Sequence, residues 1–103
     1  MAADEEFDEL AGRLSGDGVT VRSVFGKRGL MYGGKALGCR FGAGVALRLV
    51  AGSPEHTAAL ALAGAELFDP SSRHRPMKDW VVVPADFADR WYDLALAARG
   101  HLA

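Results

Sequence analysis

At 103 residues the chain fits one domain, 1–103, and half of its residues are hydrophobic, enough for one modest core. A formal net charge of -1 excludes a uniformly basic nucleic-acid binder but leaves room for a local basic patch. Cys39 is the single cysteine, which excludes an internal disulfide, and no apolar run approaches the roughly 20 residues that cross a bilayer.

The N-terminal stretch MAADEEFDEL is acidic and lacks the basic-then-apolar layout of a secretory leader. A cytoplasmic protein without membrane association is expected. The charges are segregated along the chain. Residues 18–54 contain no acid and carry Arg22, Lys27, Arg28, Lys35, Arg40 and Arg48, while the acids gather in 4–9 and 79–93.

Phe7, Leu10, Ala11 and Leu14 recur at helical spacing, with Asp4, Glu5 and Glu6 placed to complement the dipole of a first helix. Ser15-Gly16-Asp17-Gly18 ends it. Four strands are expected next, over 20–25, 30–32, 35–41 and 45–50, with Gly33-Gly34 as a two-residue hairpin turn. Strict alternation puts Leu37, Cys39 and Phe41 on one face, opposite Ala36, Gly38 and Arg40. It likewise turns Val45, Leu47 and Leu49 inward, with Ala46, Arg48 and Val50 outward, and groups Phe25 with Val19 and Val21.

Ser53-Pro54-Glu55 opens a second helix that runs to about Gly64. Leu67 and Phe68 read as anchors for a polar loop over 69–75. Pro76 introduces a last strand, 77–83, ended by Pro84. Asp86 is placed as the cap of a final helix whose Phe87, Trp91, Leu94, Ala95, Ala98 and Leu102 share a face. The reading is an α+β domain of two layers: a single antiparallel sheet of about five strands with helices on one face, in the order α-β-β-β-β-α-β-α. Leu37, Cys39, Phe41, Val45, Leu47, Leu49, Phe7, Leu10, Trp91 and Leu94 are the expected core.

Several segments look familiar together. Ser23-Val24-Phe25-Gly26, Gly29-Leu30-Met31-Tyr32, Gly34-Lys35, Phe68-Asp69-Pro70 and above all Arg75-Pro76-Met77-Lys78-Asp79-Trp80-Val81-Val82-Val83-Pro84 resemble the N-terminal domain of the TfoX/Sxy family. The resemblance spans from about Phe7 to the C-terminus. It departs from the family's FGG element, because Phe25-Gly26 is followed by Lys27. It implies a secretion-chaperone-like α+β fold and a regulatory role, and it supplies no catalytic residues. Family members that regulate competence genes carry a second, C-terminal domain; here the N-terminal domain is expected to stand alone.

Chemical motifs are weak. Gly29 to Lys35 has the spacing of a phosphate loop, but Ala36 stands where Ser or Thr belongs and the flanks read as strands. His56, His74 and His101 share no ligand spacing, so neither metal nor cofactor is expected. Ser71, Ser72, His74 and Asp69 lack a nucleophile elbow and read as polar loop. No catalytic residue is assigned.

The basic residues carry the one candidate surface. Lys27, Arg28, Tyr32, Arg73, His74, Arg75, Lys78 and Trp80 combine cations with aromatic rings. The leading expectation is a small non-enzymatic binding or regulatory module acting through contacts with a protein partner. The rival is weak nucleic-acid binding through the basic hairpin and the 73–78 segment, and the third class is a small-ligand binder or enzyme. A homodimer would form through an open sheet face lined by Thr20, Ala36, Gly38, Ala46 and Val50.

Overall fold

The structure is a computed structural model and describes residues 3–70 and 75–102. Helix α1 (Ala3–Ser15) buries Phe7, Leu10 and Leu14 and leaves Glu5, Asp8 and Glu9 exposed. Its end is tied off when the N–H groups of Asp17 and Val19 both donate to the Leu14 carbonyl, at 2.8 and 3.3 Å.

Strands β1 (Thr20–Val24), β2 (Lys27–Tyr32), β3 (Lys35–Phe41) and β4 (Gly44–Arg48) then form an antiparallel meander. Phe25-Gly26, with φ of 53° and 72°, and Gly33-Gly34, with 59° and 80°, are two-residue turns with both residues left-handed. That turn geometry matches the twist of the strands it joins.

Helix α2 (Pro54–Leu60) starts as expected, with the Ser53 hydroxyl accepting from the His56 N–H at 3.1 Å. It stops four residues before Gly64, because the chain turns where Ala65 donates to the Leu62 carbonyl and enters another strand. That strand, β5 (Glu66–Phe68), adds to the sheet where only anchors were expected, since three residues give too little alternation to read. It pairs with β6 (Met77–Val83). A 3₁₀ turn (Ala85–Phe87) leads into α3 (Ala88–Leu102). Asp86 lies inside that turn, so it does not cap the helix.

The result is α+β: one open antiparallel sheet of six strands in the order β1-β2-β3-β4-β6-β5. The helices pack on one face. There Trp91, Ala95 and Ala98 of α3 and Phe7, Leu10 and Leu14 of α1 meet Leu30, Leu37, Val45, Leu47, Leu49, Val81 and Val83. Phe41 and Leu94 are only half-buried; the other expected core residues are buried.

Two expectations about side-chain direction are corrected. Leu30 pairs with Gly38, but Met31 pairs with Ala36, so Leu37 is an extra residue in β3. This bulge resets the alternation. Leu37, Gly38 and Arg40 lie on the helix side, Gly38 opposite Leu47 and Arg40 opposite Val45, while Ala36, Cys39 and Phe41 lie on the other. Phe25 is likewise displaced from Val21, because the left-handed turn carries its ring to the far face.

That far face is not the open, small-residue surface expected. Ala46 is wholly buried, and a Cβ on Gly38 would stand 2.8 Å from Leu47 Cδ2 on the helix side. Val24, Cys39, Ala46, Phe68, Trp80 and Val82 form a second buried cluster, flanked by Met31, Ala36, Phe41 and Met77. The Phe25 ring, from the hairpin at one edge, reaches Phe68 at 5.9 Å and Trp80 at 5.7 Å, near the other edge. The sheet is therefore coiled until one edge hairpin closes over its own second face. Gly29 makes room: a Cβ there would lie 2.2 Å from Val24 Cγ2.

Candidate functional site

Lys27 and Arg28 are adjacent in β2, so their side chains leave on opposite faces of the sheet. Lys27 lies over the Phe41 ring, 5.3 Å from its centre, on the side of the aromatic cluster. Arg28 goes to the helix side, where it forms an ion pair with Asp8 and lies 5.0 Å from the centre of the Phe7 ring. With Arg40 and Gly42 they line a cleft of about 290 Å³.

The remaining sequence candidates scatter. Tyr32 packs on the helix-side core with Arg99 5.5 Å from its ring centre. Trp80 does lie beside the basic hairpin, through Phe25, but it is 5% exposed and offers little ring for a base to stack on. Arg75 is exposed and its N–H donates to the Asp69 carboxylate at 3.2 Å. Lys78 is exposed, and its carbonyl is 2.8 Å from Nε2 of the buried His56. Arg73 and His74 lie outside the described residues. Lys27 and Trp80 thus share one side of the sheet, Arg28 and Tyr32 the other.

What the hairpin does assemble is an edge. β1 ends the sheet, and β2 is its strand partner. Val24 and Lys27 flank the two-residue turn and form a hydrogen-bonded pair, as do Arg22–Gly29 and Thr20–Met31 by the alternation of an antiparallel ladder. The backbone groups of Val21 and Ser23 therefore face away from the sheet. Val21 is 46% exposed, and it lines a shallow cleft of about 340 Å³ with Arg22, Ser23, Gly26, Lys27 and Arg28. Sequence reasoning missed this surface; the signal available was Phe25-Gly26, an X-Gly pair between two strand-like runs.

The titratable groups point to structure here. Burial pushes the Cys39 thiol up to about 11, with Lys27 pulling weakly the other way, so thiolate at neutral pH is scarce. The Tyr92 hydroxyl is also pushed up, chiefly by its 2.7 Å hydrogen bond to the Asp17 carboxylate. Asp79 gathers the start of the 49–53 turn. Its carbonyl accepts from the N–H groups of Leu49 and Val50, and its carboxylate from that of Ala51 at 2.8 Å. These bonds hold Val50 at φ of 63°, a left-handed value that β-branched residues resist.

Among the described residues, no group of three or more His, Cys, Asp or Glu side chains is placed to hold a metal ion. No described helix is long and apolar enough to cross a membrane. The chain matches no family model, no curated protein and no solved structure.

Proposed function

We propose that this chain is a small non-enzymatic binding and regulatory module acting through protein contacts, and that it docks its partner along the edge of β1. The observation that carries this reading is an edge strand whose outward backbone groups stand beside a half-exposed Val21 and an exposed Arg22. An extended segment added to such an edge gains main-chain hydrogen bonds, and its alternate side chains give specificity. Val21 offers an apolar contact on one face of the added strand and Arg22 a cation on the other. The matching partner is an extended segment that alternates apolar and acidic residues. A regulatory role in the cytoplasm accords with the resemblance to the TfoX/Sxy N-terminal domain.

The test is an NMR titration with a synthetic alternating Val/Glu peptide. Binding should shift the Val21 and Ser23 amides and slow their hydrogen exchange. A Val/Lys peptide should bind more weakly, and Arg22→Glu should reverse the preference. Shifts centred away from β1, or no preference between the peptides, would sink the reading. A doubled mass by light scattering would make a second copy the occupant. Tight duplex-DNA binding that weakens steeply with salt would promote the nucleic-acid rival.

A further inference from the structure

A second cleft lies away from the β1 edge, between the strand ends and the last turn of α3. It is a broad, solvent-open cleft of about 560 Å³ lined by Lys35, Ala36, Arg48, Trp80, His101 and Leu102. Four elements contribute: β3, β4, β6 and α3. Its volume falls within the range of about 300–1,000 Å³ typical of small-molecule sites.

Arg48 is the unusual member. It is half-buried at the end of β4, on the far face of the sheet, in register with Trp80. Among the described residues its guanidinium makes no ion pair, no hydrogen bond and no ring contact. Arg99 of α3, also half-buried, shows the usual arrangement, with Asp17 accepting through its carbonyl at 2.9 Å and its carboxylate 3.9 Å away. None of the Arg48 nitrogens is a buried, unsatisfied atom, so the guanidinium is open to water in the cleft and free to exchange that water for an arriving anion through charge-assisted hydrogen bonds. Lys35, exposed and also without an acidic partner among the described residues, adds a second cation at the rim. His101 lies 3.6 Å from the carboxylate of Glu55, and the carboxylate of Asp79, next to Trp80, accepts from the Ala51 N–H at 2.8 Å. Ala36, Trp80 and Leu102 supply apolar wall between the cations.

We propose that this cleft binds a small organic anion, a carboxylate or phosphate carried on a flat apolar body. Arg48 holds the charged group through two parallel N–H donors, a geometry that suits both anions. Lys35 adds charge at the mouth, and the apolar body lies against Ala36 and Leu102, reaching only the small exposed part of Trp80.

The probes are benzoate and phenyl phosphate, with inorganic phosphate as the ion alone and benzamide as the neutral body. Each is titrated into the full chain and followed by ¹⁵N NMR. Benzoate and phenyl phosphate should shift the Trp80 indole N–H and the amides of Ala36 and Leu102, and benzamide should not. Arg48→Gln should weaken binding about tenfold or more, the scale of a lost charge-assisted hydrogen bond. Lys35→Gln, at an exposed position that cannot endanger folding, should weaken it a few-fold, and Arg90→Gln, exposed on α3 and outside this cleft, should leave it unchanged. The proposal is overturned if neither organic anion gives shifts at these residues, or if benzamide binds equally well. Inorganic phosphate binding as tightly as phenyl phosphate, or unchanged binding in Lys35→Gln, would overturn it too. Because β1 is not part of this cleft, failure here leaves the β1 reading standing.

Discussion

The two faces of the sheet are packed by different means. The helix-side face is filled by aliphatic residues arriving at regular spacing from α1, α3 and alternate strand positions. The far face has none of the described helices over it and closes on itself: Phe25 meets Phe68 and Trp80 edge-on, Phe41 meets Phe68 edge-on, and Phe68 and Trp80 are tilted by 42°, with centroids 5.1–5.9 Å apart. Such pairs add about 0.5–1.5 kcal/mol each beyond their buried area. A coiled sheet can thus build a second core, provided one hairpin tip supplies the lid.

The comparison is sharpest in paired truncations. Phe68→Ala should cost about 3–5 kcal/mol and Leu47→Ala about 2–5 kcal/mol in chemical denaturation, since both are wholly buried. A cost inside about 0.5 kcal/mol for Phe68→Ala, the range of surface changes, would break the claim that the far face is a core. Gly29→Ala comes next. Its Cβ would press on Val24 and stand 2.9 Å from the Arg22 carbonyl, so a loss of about 1–3 kcal/mol is expected, with the Phe25 ring drawn away from Trp80. Removing the lid itself should cost less. Phe25 is 50% exposed, so its truncation removes less buried area than that of Phe68, while the strain of its left-handed φ stays because alanine keeps the Cβ. Phe25→Ala should therefore lose about 1 kcal/mol in the same assay. The Cys39 thiol, buried in the same cluster as Phe68 and Trp80, should then react faster with a disulfide reagent.

Cys39 gives a pH test confined to the far face. Its pKa is raised from 9.0 to about 11, so the folded state keeps a proton that the unfolded state gives up first. The associated stability is complete below pH 9 and disappears as pH rises to about 11. Cys39→Ala should flatten the alkaline fall in stability over that window. The share that remains includes Tyr92, whose pKa is raised in the same sense. An unchanged fall would mean that the thiol is not buried in solution.

Much of this was legible in the sequence. The helical spacing in Phe7–Leu14 and Phe87–Leu102, the Ser53-Pro54 start and the Gly33-Gly34 turn each carry their own local physics. The α+β layout followed from them. The far-side packing was not legible, for two reasons. A one-residue bulge at Leu37 leaves no mark on composition yet inverts every later assignment in β3. The closure by Phe25 depends on sheet coiling, which brings together residues 43 and 55 positions apart. The basic residues can be read off the sequence, but adjacent strand positions such as Lys27 and Arg28 were bound to part, so the patch they suggested is divided between two faces.

The most direct test of the proposed docking edge is Val21→Pro. The Val21 N–H faces away from β2, so proline there removes a docking donor without breaking the ladder, as edge strands permit. Val21→Thr serves as the control, since it keeps the N–H. Affinity for the alternating Val/Glu peptide, measured by the same NMR titration, should fall about tenfold or more in Val21→Pro, given its lost backbone hydrogen bond and narrowed φ. Thermal stability should stay close to that of Val21→Thr, and the peptide should still bind Val21→Thr. Undiminished peptide binding by a folded Val21→Pro variant would contradict strand addition at β1.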